Sequence, residues 1–207
     1  MTKAAPKTPR KRGYRMSRAA PPGSVPGTLV SHPDAVAPKI DVIRYGPDQI
    51  DEVPAAPADE LRAGVGTQPV TWVNVSGLGD LDLLRSFGKA FGLHRLSLAD
   101  VVNVHQRPKA EIYEGYLFIV TRMPRGGSGP ETEQITMVLG ENFVLTFQEG
   151  AGDCFEPVRK RLRRKRGRIR DAGADYLAYA LLDAVIDGFY PVLEACGERL
   201  ATLEDEI

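Results

Sequence analysis

Cysteine, histidine and net charge are all scarce in this 207-residue chain, and each scarcity removes a class of function. The two cysteines, Cys154 and Cys196, stand far apart and outside any CxxC or Cys/His spacing, so neither a disulfide framework nor a thiolate zinc site is expected. They read as thiols of a chain made for a reducing compartment. The three histidines, His32, His94 and His105, come with no Gly-x-Ser-x-Gly elbow, no Walker A sequence and no GxGxxG after a strand, so no enzymatic role is expected. Lysine plus arginine equals aspartate plus glutamate, 27 against 27, and a cancelled charge gives no global pull toward nucleic acid or anionic lipid. An uninterrupted apolar run of roughly 20 residues, the length of a membrane-spanning helix, is also missing. The nearest, Tyr176 to Leu193, carries Asp183, Asp187 and Pro191 and is expected to be a helix partly buried in protein. The basic N-terminus has no apolar stretch behind it to make a secretory signal.

What is present suffices for one folded domain with extensions, since 43% of residues are hydrophobic and 26% charged. Residues 1–38 are rich in Lys, Arg, Pro and Gly, with no acid before Asp34. They are expected to form a disordered basic tail, because they bury too little apolar surface to offset the entropy of ordering. A domain is expected over 39–170. Ile40, Val42 and Ile43 predict a short strand, a Pro- and Ala-rich linker runs to Pro57, and Val70 to Val75 alternates as a strand does. Asp80 is placed to cap a helix reaching Phe91, with Leu81, Leu84, Phe87 and Phe91 on its apolar face and Gly92 ending it. A short helix is expected from Ser97, as its cap, to Val102. Segments from Lys109, Tyr116, Gln134 and Phe143 predict an antiparallel meander with a glycine-rich loop at 126–130.

Phe155 to Arg166 reads as a basic helix. From about Gly173 to Ile207 one helical pattern continues, which unbroken would reach roughly 50 Å. No stop signal stands at Glu204, Asp205, Glu206 and Ile207, so this helix is expected to run on, with residues 171–207 as its beginning. The expected fold is of the α/β class: an α/β/α layered domain with a mixed, largely antiparallel sheet, followed by a long stalk helix.

Two places could carry chemistry. Eight of the eleven residues from Lys160 to Arg170 are basic. The stretch suits phosphates, but no aromatic interleaves it to stack on a base, and an acidic helix end follows that could pair with it. The other place is a set of carboxylates suited to a hard cation such as magnesium, which takes one or two carboxylate oxygens and keeps several waters. Asp100 lies just before Asn103 and His105. Asp183 and Asp187, spaced i, i+4, share one helix face in an apolar stretch, where acids are costly unless exposed, paired or metal-bound.

The run from Leu93 to Lys109, with Asp100, Asn103 and His105-Gln106-Arg107-Pro108-Lys109, resembles a stretch found in CorA-type magnesium and cobalt transporters. Trp72–Val75, Tyr116–Val120, Asn142–Glu149, Gly152–Arg159 and Ala174–Ala184 are similar to further pieces of that family in the same order, so the resemblance covers about residues 70–207. It implies an ion-transport protein of the cell inner membrane, a homopentamer whose N-terminal α/β/α domain is cytoplasmic and whose two C-terminal helices cross the membrane. A Gly-Met-Asn motif at the pore mouth of the family is absent here, so this chain is expected to be a piece without the pore. The resemblance further implies that regulatory Mg2+, with Co2+ as an alternative ion, binds between neighbouring subunits and holds the transporter closed.

The family's sensor carboxylate matches Asp100, and its partner on the neighbouring subunit falls beyond position 207. A second cytosolic site of some members matches Asp183, but Ala99 stands where those members carry a glutamate, which weakens that site. Asp187 is a further candidate on the same helix face. The competing expectation is a soluble interaction module that uses residues 160–170 to bind nucleic acid or anionic lipid; nucleic acid is not the expected partner.

Overall fold

The structure, a computed structural model, describes residues 21, 23–54, 61, 65–125 and 131–205. Seven strands form one sheet in the order β2-β1-β3-β7-β6-β5-β4. They are β1 (Lys39–Tyr45), β2 (Ile50–Pro54), β3 (Val70–Ser76), β4 (Lys109–Tyr113), β5 (Tyr116–Pro124), β6 (Thr132–Leu139) and β7 (Phe143–Gln148). All neighbours are antiparallel except β3 and β7, which run parallel with Trp72 opposite Val144. The sheet is therefore mixed and largely antiparallel. The parallel pair lies at its centre, where β3 is buried along its whole length, as expected of a strand covered on both faces.

Alternation along the strands splits the core into two layers. Val73, Val75, Phe118, Leu145 and Phe147 face α1 (Leu81–Phe91) and α2 (Arg95–Val102). Val70, Trp72, Ile135, Met137 and Val144 face α3 (Glu156–Arg163) and α4 (Ala174–Asp187). The result is the expected α/β/α arrangement. Asp80 accepts hydrogen bonds from the amides of Asp82 and Leu83 at the start of α1, and Gly92 takes the left-handed conformation at its end.

Three sequence expectations are corrected. The stretch read as linker contains β2, an acidic edge strand in which only Ile50 and Val53 turn partly inward. The short helix begins at Arg95 with His94 as its cap, the imidazole Nδ1 accepting from the Leu96 amide at 3.3 Å. Ser97, expected to cap it, is instead fully buried, with its hydroxyl 2.9 Å from the Tyr116 hydroxyl. The expected tail also divides. Residues 1–20 and 22 lie outside the described residues, as does the predicted loop at 126–130. From Ser24 onward the chain lies along the domain: the Gly79 amide donates to the Val36 carbonyl at 2.8 Å, and Arg95 donates to the Pro26 carbonyl. Gly77, at φ +101, allows this contact, because a Cβ there would meet the Ala37 carbonyl at 2.5 Å.

The long C-terminal helix runs through α4, loosens at Gly188 and Phe189, and resumes as α5 (Tyr190–Asp205). By length and composition the stretch Ala174–Asp205 could reach across a bilayer. Its first half is a core helix, however, with Leu177, Leu181 and Val185 buried against the sheet, whereas α5 buries nothing.

Candidate metal centre

Asp100 stands in the second turn of α2, where the helix meets the loop leading to β4. Three neighbours hold it. Its Oδ2 accepts from Lys109 Nζ at 2.6 Å, its Oδ1 from Gln106 Nε2 at 2.9 Å, and its backbone carbonyl from Gln134 Nε2 at 2.9 Å. Gln134, on β6, also accepts from the Gln106 amide at 3.0 Å, so helix, loop and sheet are tied at one point. The Asp100 side chain keeps 22% of its surface exposed. It is thus a fixed carboxylate that water, or the hydration shell of a cation, can reach.

Lys109 is shared. Its ammonium also lies 2.8 Å from Glu111 Oε1, and 5.8 Å from the centre of the Phe118 ring. Burial disfavours the ammonium, but the bonds from Asp100 and Glu111 outweigh it and hold the Lys109 pKa above the ordinary lysine value. The Lys109 hydrogen bond in turn keeps the Glu111 carboxyl below the usual glutamate range. Lysine and Gln106 both lie within the Leu93–Lys109 run, yet nothing in its spacing shows that they converge on Asp100. Only the turn from α2 into the β4–β5 hairpin brings them round.

Among the described residues, no group of three or more His, Cys, Asp or Glu side chains gathers in a way that could hold a metal. The fold does not unite the predicted ligands either. Asp100 is on α2, on one face of the sheet, while Asp183 (half-buried) and Asp187 (exposed) are on α4, on the other. A carboxylate, a side-chain amide and open solvent are nevertheless the hard oxygen donors that magnesium accepts, so Asp100 fits as part of a site.

Four of the eight basic residues between Lys160 and Arg170 are tied down. Arg163 pairs with Glu52 of β2 at 2.8 Å and with Glu156 at 3.2 Å. Lys165 reaches Asp48 at 3.3 Å, Arg161 donates to the Tyr176 hydroxyl at 3.2 Å, and buried Arg170 donates to the Gly46 carbonyl at 2.9 Å. Of these partners, Glu52 comes from the strand that the sequence did not disclose and Asp48 from the turn that leads into it.

A polar seam crosses the α3 face where β3 and β7 meet. Trp72 Nε1 donates to Thr146 Oγ1 at 3.0 Å, Thr146 donates to Asn74 Oδ1 at 2.6 Å, and Asn74 reaches Asp153. Arg159 grips Asp153 through two nitrogens at 2.7 and 2.6 Å and stacks 5.1 Å above the Trp72 ring. Asp153 is 7% exposed and Arg159 16%, so this pair joins α3 to the sheet from within.

Comparison with known proteins gives consistent matches. A family model described as CorA-like Mg2+ transporter protein matches residues 68–207. The cobalt/magnesium transport protein CorA of Thermotoga maritima is 38% identical over 193 residues, which is 92% of this chain and 54% of that protein. The putative metal ion transporter YfjQ of Bacillus subtilis is 31% identical over 136 residues, 65% of this chain and 41% of that one. Among solved structures, the soluble domain of CorA from Methanocaldococcus jannaschii superposes with a TM-score of 0.61 at 17% identity, covering 81% of this chain and 63% of that one. The chain spans about half the length of the first of these relatives and less of the second.

Proposed function

Because this chain belongs to the CorA-like Mg2+ transporter family, we propose that it is the cytosolic, divalent-cation-sensing domain of a CorA-type magnesium and cobalt transporter. The observation that carries this reading is the state of Asp100: rigidly placed, part exposed, and without enough further ligands among the described residues. Such a half-site is completed across an interface between copies, in line with a homopentamer. Asp183 and Asp187, on the opposite face of the sheet, are proposed as contributors to a second, weaker intersubunit site.

Asp100 would hold a regulatory Mg2+ together with water, with Gln106 Nε2 steadying the carboxylate; the ion would supply attraction between carboxylates that otherwise repel. Lys109 would let go of Asp100 and keep Glu111, so the pocket does not lose its ammonium when the cation arrives. Metal bound only in the closed arrangement shifts the population toward it. Moving a gate from 1:99 to 99:1 takes about 5.5 kcal/mol, or about 1 kcal/mol from each of five sites, within the reach of a weak, water-rich magnesium site. The magnesium or cobalt that crosses the membrane would be cargo, handled by parts of the protein outside this chain.

The test is Mg2+-dependent sedimentation and trypsin protection at matched ionic strength, for the wild type and Asp100→Asn. Magnesium should favour a larger, protected species in the wild type and do so several-fold less in the variant. Equal responses in the two proteins would remove Asp100 from the sensor, and no response in either would defeat the sensing role.

A further inference from the structure

A cavity of about 510 Å³ opens at one end of the sheet, between the Asp34–Val36 segment, the end of α2, β6 and the loop after β7. The Asp100 carboxylate does not line it, although Gln134, which holds the Asp100 carbonyl, also donates its backbone amide to Glu149 Oε1 at 2.7 Å. At its floor lies Glu133, 1% exposed, whose Oε2 has no hydrogen-bond partner. A buried carboxylate oxygen left without a donor is costly, and a native site usually supplies one. The group closest to doing so is the Arg125 guanidinium, which lies 3.9 Å from Glu133 Oε2 and 3.3 Å from Glu149 Oε2. It is too far from Glu133 for a hydrogen bond, and its side chain is 51% exposed. Arg125 thus covers an acidic floor loosely and can swing away. Leu78, Val102 and Val104 make an apolar wall, and Asp34, 72% exposed, stands at the rim.

An acidic floor, an aliphatic wall and a second acid at the rim match a molecule with two cationic ends and an alkyl stem. We propose that this cavity binds an aliphatic diamine, one ammonium seated on Glu133 and Glu149 in place of the Arg125 guanidinium, the other at Asp34. A compact ammonium can reach the Glu133 oxygen that the fixed fork of Arg125 leaves unbonded. This inference is independent of metal sensing at Asp100.

Titration supports the same geometry. Burial pushes the Glu133 carboxyl up to about 7, against a smaller opposing pull from Arg125 and with Glu149 adding to the rise. The groups facing it are Arg125, Glu149, His32, Asp34, His105 and Cys154; the last is pushed by burial up to about 11 and is uncharged near neutrality. Diamine binding should therefore release a proton from Glu133 and tighten as pH rises through about 7.

The experiment is calorimetric titration of the chain with 1,4-diaminobutane, with butylamine and magnesium chloride as controls. One saturable site is expected, with butylamine several-fold weaker. Glu133→Gln should weaken it about tenfold or more, the loss of one charged hydrogen bond, and remove the tightening near pH 7. Arg125→Ala, a change at a half-exposed side chain that leaves the fold intact, should tighten binding several-fold by removing the internal competitor. No saturable binding, binding unchanged by Glu133→Gln, binding unchanged or weakened by Arg125→Ala, or displacement of the diamine by equimolar magnesium would each overturn the proposal.

Discussion

If Asp100 takes Mg2+ as proposed, replacing Lys109 by Met should tighten that binding. In the folded chain the Lys109 ammonium lies 2.6 Å from Asp100 Oδ2, in the place where a cation would approach. A metal must break that bond, and it must then sit near a residual positive charge. The two side chains are 28% and 22% exposed, so solvent screens the pair and its strength is at the upper end of surface ion pairs, about 1 kcal/mol. Removing the competitor should therefore tighten Mg2+ binding about fivefold. The Lys109 ammonium lies 5.8 Å from the centre of the Phe118 ring, and Met, unbranched and of similar length, puts an apolar end there instead. Glu111 loses its lysine partner but keeps the Tyr113 hydroxyl in the same variant, and its carboxyl moves back toward the ordinary range while staying ionised at pH 7. To separate the two carboxylates, the double variant Lys109→Met/Glu111→Gln should keep the gain and Lys109→Met/Asp100→Asn should lose it. The assay is the Mg2+ concentration that half-protects the chain from an arginine-specific protease, whose cleavage sites include neither the original nor the substituted residues. A weaker response in Lys109→Met would refute the argument, because it would mean that the ammonium supports Asp100 rather than competes for it.

Asp153→Ala leaves the Arg159 guanidinium buried beneath the sheet without its bidentate partner, a loss of about 3–5 kcal/mol. Thermal unfolding should show it as a fall of about 10 °C, and Asp153→Ala/Arg159→Met should recover much of it. Burial works against the Asp153 carboxylate, but the Arg159 bonds outweigh it and hold its pKa below the ordinary value. Its contribution is accordingly present at neutral pH and is lost as pH falls through that lowered value. Glu133 has the opposite sign. Its folded pKa of about 7 lies above the ordinary 4.5, so the folded state holds the proton more tightly and stability declines as pH rises between those values. The decline should reach at most about 3 kcal/mol in urea unfolding from pH 4.5 to 7.5, and Glu133→Gln should flatten it; an unchanged slope in the variant would show that Glu133 does not titrate in this range.

Most of the fold is legible because its central strands are dense in β-branched and aromatic residues. Val70–Val75, Tyr116–Val120 and Phe143–Phe147 could be little else, and the glycine pairs around them mark where they stop. β2 escaped because Ile50-Asp51-Glu52-Val53-Pro54 is an edge strand with one polar face in water. Its two inward apolar positions are too few to rise above the Pro- and Ala-rich surroundings. The cap of α2 escaped for another reason. Serine is the commoner cap, but Ser97 has the Tyr116 hydroxyl 22 and 19 residues away from His94 and itself to satisfy, and that contact exists only after β5 has docked. The meander could be ordered from hairpin spacing alone, whereas the parallel pairing of β3 with β7 joins residues more than 70 apart and leaves no local signature.

The two acidic sites differ in how much of each the sequence carries, and the difference is physical. Asp100 could be singled out as a residue, but its chemistry depends on Lys109, Gln106 and Gln134, whose convergence is set by a helix end, a loop and a strand 34 residues on. Glu133 has a local signal that periodicity exposes: on β6 it occupies the same alternation as Ile135 and Met137, both fully buried, so a carboxylate is directed inward among apolar side chains. Such a placement raises its pKa whatever the fold, by desolvation. What the strand pattern does not contain is the counter-charge. Arg125 and Glu149 reach Glu133 only because β5, β6 and β7 run antiparallel and bring their ends together at one edge of the domain. An inward acid read off a period of two is therefore a reason to look for a cavity, and the ladder register then says which side chains line it.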